Sequence, residues 1–119
     1  MDSQAARTRL EYERHDAQAR LIAARATLER LRTERAEAGT ADDEHDPDGS
    51  TLSAEWTMAV AHCRIVEDSI AQIGAALARV DAGSYGICAS CGRPIPRVRL
   101  EARPAARTCA DCANCAGSQ

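Results

Sequence analysis

Tyr85-Gly86-Ile87-Cys88-Ala89-Ser90-Cys91-Gly92-Arg93, followed further on by Cys109-Ala110-Asp111-Cys112, is the stretch around which this chain is organised. Two Cys-x-x-Cys pairs stand seventeen residues apart. That is the spacing of a four-cysteine zinc site, in which each pair closes a tight turn and offers two thiolates to one ion. Soft ligands and a tetrahedral preference suit Zn2+ better than they suit two redox dithiols. The expected ligands of one structural Zn2+ are therefore Cys88, Cys91, Cys109 and Cys112. Four thiolates fill the tetrahedron, and Glu101 is the one carboxylate between the pairs, with no His beside it. Nothing is placed to activate a metal-bound water, so no enzymatic chemistry is expected. Cys115 forms a further Cys-x-x-Cys with Cys112 and reads as a tail thiol that could stand in for a ligand on oxidation.

The composition upstream disfavours a conventional globular core. The chain has 119 residues, 28% of them charged, with no Phe, one Trp and two Tyr. Abundant Ala suits helix–helix seams, where large rings are not needed. All fifteen basic residues are Arg, and the net charge is -3, without the basic excess of a general nucleic-acid binder. No apolar run approaches the ~18 residues of a membrane span, and the polar N-terminus has no signal-peptide character. Six cysteines in that context point to reduced thiols and a cytoplasmic protein, where metal binding is expected over disulfides.

Two long helices are expected. Over residues 2–38 the alternating spacing of four and three picks out Leu10, Arg14, Ala17, Leu21, Ala24, Leu28, Leu31 and Arg35, with Asp2 or Ser3 as cap and Gly39 as stop. A second seam runs Leu52, Trp56, Ala59, Cys63, Val66, Ile70, Ile73, Leu77 and Val80, ending at Gly83. Cys63 falls on that seam as a small buried apolar residue, while His62 points about 100° away and makes no metal pair with it. Similar lengths and a short connection predict an antiparallel two-helix coiled-coil hairpin with arms of about 45–55 Å. The fold expected is mostly α: the hairpin over residues 1–82, a small C-terminal four-cysteine zinc finger over 83–113 and a short tail over 114–119. The finger holds Ile95, Val98 and Leu100, enough for a tiny core and a short helix.

Charge is uneven along the chain. Residues 39–51 contain the breakers Pro47 and Gly49 and read as a loop at the hairpin tip, with Ser50 or Thr51 available as the next cap. Asp42, Asp43, Glu44, Asp46 and Asp48 crowd into it around His45. A solvated turn explains such a run, yet the end of a long rod is also its natural contact point. The finger carries Arg93, Arg97, Arg99, Arg103 and Arg107. No aromatic residues interleave with them, as stacking on single strands would want, so a solvated or protein-facing surface is expected over sequence-specific DNA binding.

Cys88-x-x-Cys91, then Ile95, Arg99, Pro104 and Cys109-x-x-Cys112 resemble the DksA/TraR-type zinc finger signature. Gly83-x-Tyr85-Gly86 before it and Arg99-Leu100-x-Ala102-x-Pro104 within it agree. Ala89 departs from the Asp, Glu or Ser often found there. The resemblance is specific over residues 80–112 and architectural over residues 2–82. It implies a bacterial transcription regulator that binds RNA polymerase, with the finger and helix base at the rim of the secondary channel and acidic tip residues approaching the catalytic centre. The family's tip pattern, Asp-x-x-Asp-x-Ala, matches Asp43-x-x-Asp46-x-Asp48 in its two acids but ends in Asp. Counting back from Cys88 places the acids instead at His45 and Asp48, with Ser50 for the Ala. Asp46 and Asp48 are the expected tip residues and Asp43 the reserve; Arg99 and Arg103 are expected finger contacts. Some members respond to ppGpp through basic residues. Arg103 matches one of them, but Gln72 and Ala113 occupy the other positions, so potentiation by ppGpp is doubtful. The alternative to the regulator is a stress-related structural or interaction protein that keeps the finger without polymerase activity.

Overall fold

In the computed structural model, α1 spans Ser3–Thr40, α2 spans Pro47–Ala82, α3 spans Arg97–Ala102 and α4 spans Ala110–Gly117. The structure describes residues 2–40 and 47–117, with side chains over 2–37 and 51–115. Among the described residues there is no strand. One isolated antiparallel bridge joins Ile87 and Pro94. No helix there is long and apolar enough to cross a membrane.

The start of α1 follows the expected capping chemistry. The Ala5 amide donates to Asp2 Oδ1 at 2.7 Å, satisfying one of the amides that the first turn leaves without a helical partner. At its other end the helix continues through Gly39 to Thr40. The expected loop over 39–51 is also shorter on its second side, because α2 begins at Pro47. Proline at a first helical position loses no hydrogen bond and arrives with a helical φ, so this breaker initiates a helix here. Ser50 and Thr51 consequently lie inside the helix. Asp48 is its second residue, and Asp43 and Asp46 lie outside the described residues.

Two compact units emerge, one made of Met1–Asp16 with Ile70–Gln119, the other of Ala17–Ser69. In the first, Ala6 and Leu10 of α1 and Ile73, Ala76, Leu77 and Val80 of α2 are buried. The Arg7 guanidinium meets Asp81 at 2.7 Å. In the second, Ala17, Ala24 and Leu31 are buried on α1, and Cys63 and Val66 on α2. There the Arg35 guanidinium lies over the Trp56 ring, 4.9 Å from its centroid. His62 is exposed beside buried Cys63, as the helical angle requires.

Of the expected seam, Leu10, Ala17, Ala24, Leu31, Cys63, Val66, Ile73, Leu77 and Val80 are buried, Leu21, Leu28, Trp56 and Ile70 are half-buried and Arg35 is exposed. Ala6 and Ala76 are wholly buried although neither sits on the 4-3 pattern. Both belong to the unit that also contains the finger, and the buried stripe there is broader than a narrow coiled-coil seam.

Helix α2 stops at a paired cap. The Ser84 amide donates to the Arg79 carbonyl at 2.9 Å and the Gly83 amide to the Val80 carbonyl at 3.2 Å. This is the double reverse bond that a residue of positive φ closes, and Gly83 has φ of 78°.

Helix α4 runs through residues 113–117, beyond the last expected ligand Cys112. The first turn of α4 carries Asp111, where a negative charge suits the helix dipole. An eight-residue helix is marginal alone, so its start is set by the cysteines that anchor it.

Candidate metal centre

The first cysteine pair sits on a turn that only a few backbone angles allow. The Cys88 amide donates to the Arg93 carbonyl at 2.8 Å and the Gly92 amide returns to the Cys88 carbonyl at 2.9 Å. Gly92 closes this turn at φ of 75°, a region that side-chain-bearing residues rarely adopt. Flanking it, the Ile95 amide donates to the Gly86 carbonyl at 2.7 Å. Cys109 immediately precedes α4 and Cys112 lies in its first turn. The second pair is therefore spaced by helical geometry.

The four sulfurs converge. The Sγ atoms of Cys88, Cys91, Cys109 and Cys112 all lie within 4.8 Å of one another, and Cys91 and Cys109 approach to 3.9 Å. A tetrahedral ion with Zn–S distances of ~2.3 Å sets its sulfurs about 3.8 Å apart, so the donors present fit one Zn2+. Cys88 is buried, Cys109 and Cys112 are half-buried and Cys91 is exposed. Cys115, exposed on α4, is not among the converging sulfurs.

The surroundings favour thiolate at some of these sulfurs and oppose it at another. The Cys109 amide donates to Cys88 Sγ at 3.3 Å. With the Cys91 amide as the second contributor, this lowers the Cys88 thiol to about 6. Cys91 is lowered by the Arg93 amide and then by its guanidinium. Cys112 is pushed up to about 12, chiefly by its contact with Cys109 and then by Cys88. Four negative sulfurs within contact of each other repel, and the neighbouring sulfurs of Cys109 and Cys88 oppose ionisation at Cys112. A divalent ion removes that conflict. A Zn2+ held by Cys88, Cys91, Cys109 and Cys112 would have its four ligands from the protein and would supply a cross-link.

The metal cluster rests on a small core of Cys88, Ile95 and Leu100, with Tyr85, Ala106, Cys109 and Cys112 packed against it. Gly86, at φ of 84°, brings its backbone beside Leu100. The short helix expected between the pairs is α3. Glu101, the lone carboxylate between the pairs, is engaged by Arg97 at 3.0 Å.

The finger arginines divide by environment. Arg99 is half-buried and its Nε donates to the Thr108 carbonyl at 2.8 Å. Arg103 is exposed and its amide closes α3 on the Arg99 carbonyl. Arg93 stands against the Cys91 sulfur, and Arg107 is exposed. Gln72 is exposed on α2, and Ala113 lies in α4 with its amide on the Cys109 carbonyl.

Two residues outside the expected set take part in the finger's construction. Arg79 of α2 donates to the carbonyls of Ala105 and Ala106 at 3.3 and 3.4 Å. The Tyr85 hydroxyl donates to the Pro104 carbonyl at 2.8 Å. Tyr85 carries a signal in the sequence, because it stands between two glycines just before the first cysteine. Arg79 carries none: an arginine in a last helical turn is ordinary.

Residues 83–114 match the family described as the prokaryotic dksA/traR C4-type zinc finger. The finger is of the dksA/traR type. Among curated relatives, an uncharacterised protein of Aquifex aeolicus is 47% identical over 45 residues, 38% of this chain and 31% of the relative. The RNA polymerase-binding transcription factor DksA of Caulobacter vibrioides is 57% identical over 37 residues, 31% of this chain and 26% of the relative. These matches span less than a third of the relatives' own length. The structure of the transcription factor DksA2 from Pseudomonas aeruginosa is similar over 98% of this chain and 83% of that one, with a TM-score of 0.77 and 22% identity. The dksA/traR resemblance read from the cysteine spacing thus extends, at the level of fold, beyond the finger to nearly the whole chain.

Proposed function

We propose that this chain is a non-enzymatic, cytoplasmic transcription regulator that binds RNA polymerase at its secondary channel and modulates initiation. The observation that carries this reading is a combination in one chain. A dksA/traR-type finger is joined to two long helices whose fold matches that of a transcription factor over 98% of the length. The finger supplies a metal-stiffened docking base, with Arg103 and the outer nitrogens of Arg99 directed to acids or carbonyls of the polymerase. The acidic residues between the helices, Asp46 and Asp48 with Asp43 in reserve, act as the coiled-coil tip. Their carboxylates perturb the metal-bearing centre or the mobile elements beside it, by charge and by bulk.

The test is an Asp46→Asn/Asp48→Asn double variant. It is expected to co-purify with core polymerase as the wild type does and to lose the effect on promoter-complex lifetime in transcription in vitro. Unchanged regulation would refute the tip mechanism. A second reading, a finger-bearing structural or interaction protein without polymerase activity, is favoured by Asp48 standing where the family's tip pattern ends in Ala. It predicts no co-purification of the wild-type chain with core polymerase.

A further inference from the structure

We propose that residues 104–108 form a strap through which α2 controls the grip of the second cysteine pair on the metal, with Arg79, Tyr85 and Arg99 as its positioning residues. The strap joins the end of α3 to Cys109 without helix or strand of its own. A connecting segment of this kind ordinarily leaves much of its backbone to water. Here all five consecutive carbonyls are taken by the protein. Pro104 receives the Tyr85 hydroxyl, and Ala105 and Ala106 share the Arg79 guanidinium. Arg107 receives the Ala89 amide at 2.9 Å, and Thr108 receives Arg99 Nε.

The donors come from four separate places: the last turn of α2, the turn after it, the first cysteine turn and α3. Two of the three side-chain donors are guanidinium groups, whose hydrogen bonds are stronger than those of neutral donors. The strap is also pinned from inside, since Pro104 is buried and Ala106 packs on the finger core. It delivers directly into the metal site, because the next amide, that of Cys109, donates to Cys88 Sγ.

Arg79 occupies its place against opposition. It is half-buried, and both burial and the nearby Arg107 charge disfavour its cationic form. The compensating interactions are the two strap carbonyls. The same residue's own carbonyl accepts the Ser84 amide in the cap of α2. A metal that fixes Cys109 and Cys112 therefore fixes the strap, and the strap fixes the last turn of α2. By linkage the dependence runs both ways: a firm α2 terminus holds the second cysteine pair on the metal. The metal state of the finger is in this way communicated to the long helix.

The experiment uses the full chain loaded with Zn2+ and follows transfer of the metal to a chromogenic chelator. Arg79→Met keeps the aliphatic stem and removes the donors; Tyr85→Phe removes one hydroxyl. Outer residues that orient metal ligands typically contribute 10–100-fold to affinity, so release about 10-fold faster is expected for each variant and a partial return toward wild type for Arg79→Lys. The Co2+-substituted variants should keep the charge-transfer and ligand-field bands of four thiolates, showing that the ligand set is intact. Hydrogen exchange supplies a readout that a merely structural Arg79 would not move. Stripping Zn2+ should accelerate exchange at residues 77–84 of the wild type, whereas in Arg79→Met exchange there should already be fast and respond little to stripping. Wild-type release rates in the variants, or exchange at 77–84 that is indifferent to the metal in the wild-type chain, would overturn the proposal. Should Arg79→Met fail to fold, Tyr85→Phe and the wild-type exchange measurement decide it alone.

Discussion

The two compact units use the same two helices and hold them together by different means. In the unit of residues 17–69 the buried set is Ala17, Ala24 and Leu31 on α1 and Cys63 and Val66 on α2. These are mostly small side chains on a narrow seam, supplemented by one guanidinium over an indole. The unit that contains the finger buries a wider stripe, including Ala6 and Ala76, and adds side-chain donors that grip a backbone segment. It also gathers four sulfurs in position for one ion. The finger unit adds directional bonds to a backbone segment and a gathered set of sulfurs to its packing. The difference teaches that a chain poor in large apolar residues can concentrate its rigidity where ligands and donors are dense. The remaining helix pairing stays dependent on thin packing.

The largest way to break this contrast is to remove the metal. Structural zinc in small fingers is worth ~10–16 kcal/mol of apparent binding free energy. A strong chelator, or Cys88→Ser, should abolish stoichiometric binding of one zinc per chain and release the finger's amides to exchange. Most of the far-UV helix signal should remain, because α1 and α2 hold most of the helical residues. A zinc-free protein with an unchanged thermal melt would contradict the asymmetry.

Acid sharpens the same point. Because contact with Cys109 and then Cys88 pushes the Cys112 thiol up to about 12, loading Zn2+ at pH 7 is expected to release protons from the cluster. Calorimetry of metal binding in buffers of different ionisation enthalpy should show net proton release. Affinity should fall as the pH is lowered, since protons compete with the ion for sulfur.

Packing comes next in size. Leu10 is wholly buried in the finger unit, and truncation of such a side chain costs ~2–5 kcal/mol through lost transfer energy and a residual cavity. Leu10→Ala should lower the denaturation midpoint accordingly. The smallest effect expected is in the other unit. Arg35→Ala removes the contact with Trp56, worth ~0.5–1 kcal/mol at a partly exposed site. It should be visible as a shift in Trp56 fluorescence together with a small loss of stability. A larger loss from Arg35→Ala than from Leu10→Ala would reverse the comparison.

Much of this arrangement was readable before any coordinates. The 4-3 spacing named the buried positions Leu10, Ala17, Ala24, Leu31, Cys63, Val66, Ile73, Leu77 and Val80, because a helix pair buries one repeating stripe. The cysteine spacing named the four sulfurs that meet, because short Cys-x-x-Cys turns leave few ways to place two thiolates. Gly83 was legible as the stop of the second helix, and it takes positive φ.

What the linear pattern could not decide depended on partners distant in the chain. Pro47 looked like a loop residue, but a proline can begin a helix as readily as end one, and its surroundings choose. The residues after Cys112 looked too few for an element, yet anchoring of the second cysteine pair supplies the start that an isolated eight-residue helix lacks. Ala6 and Ala76 are buried although the 4-3 pattern does not name them. Local periodicity and ligand chemistry are properties of neighbouring residues, and the chain states them outright. Which carbonyl a side chain such as Arg79 will hold, twenty-six residues away at Ala105, is settled only when the fold brings the two together.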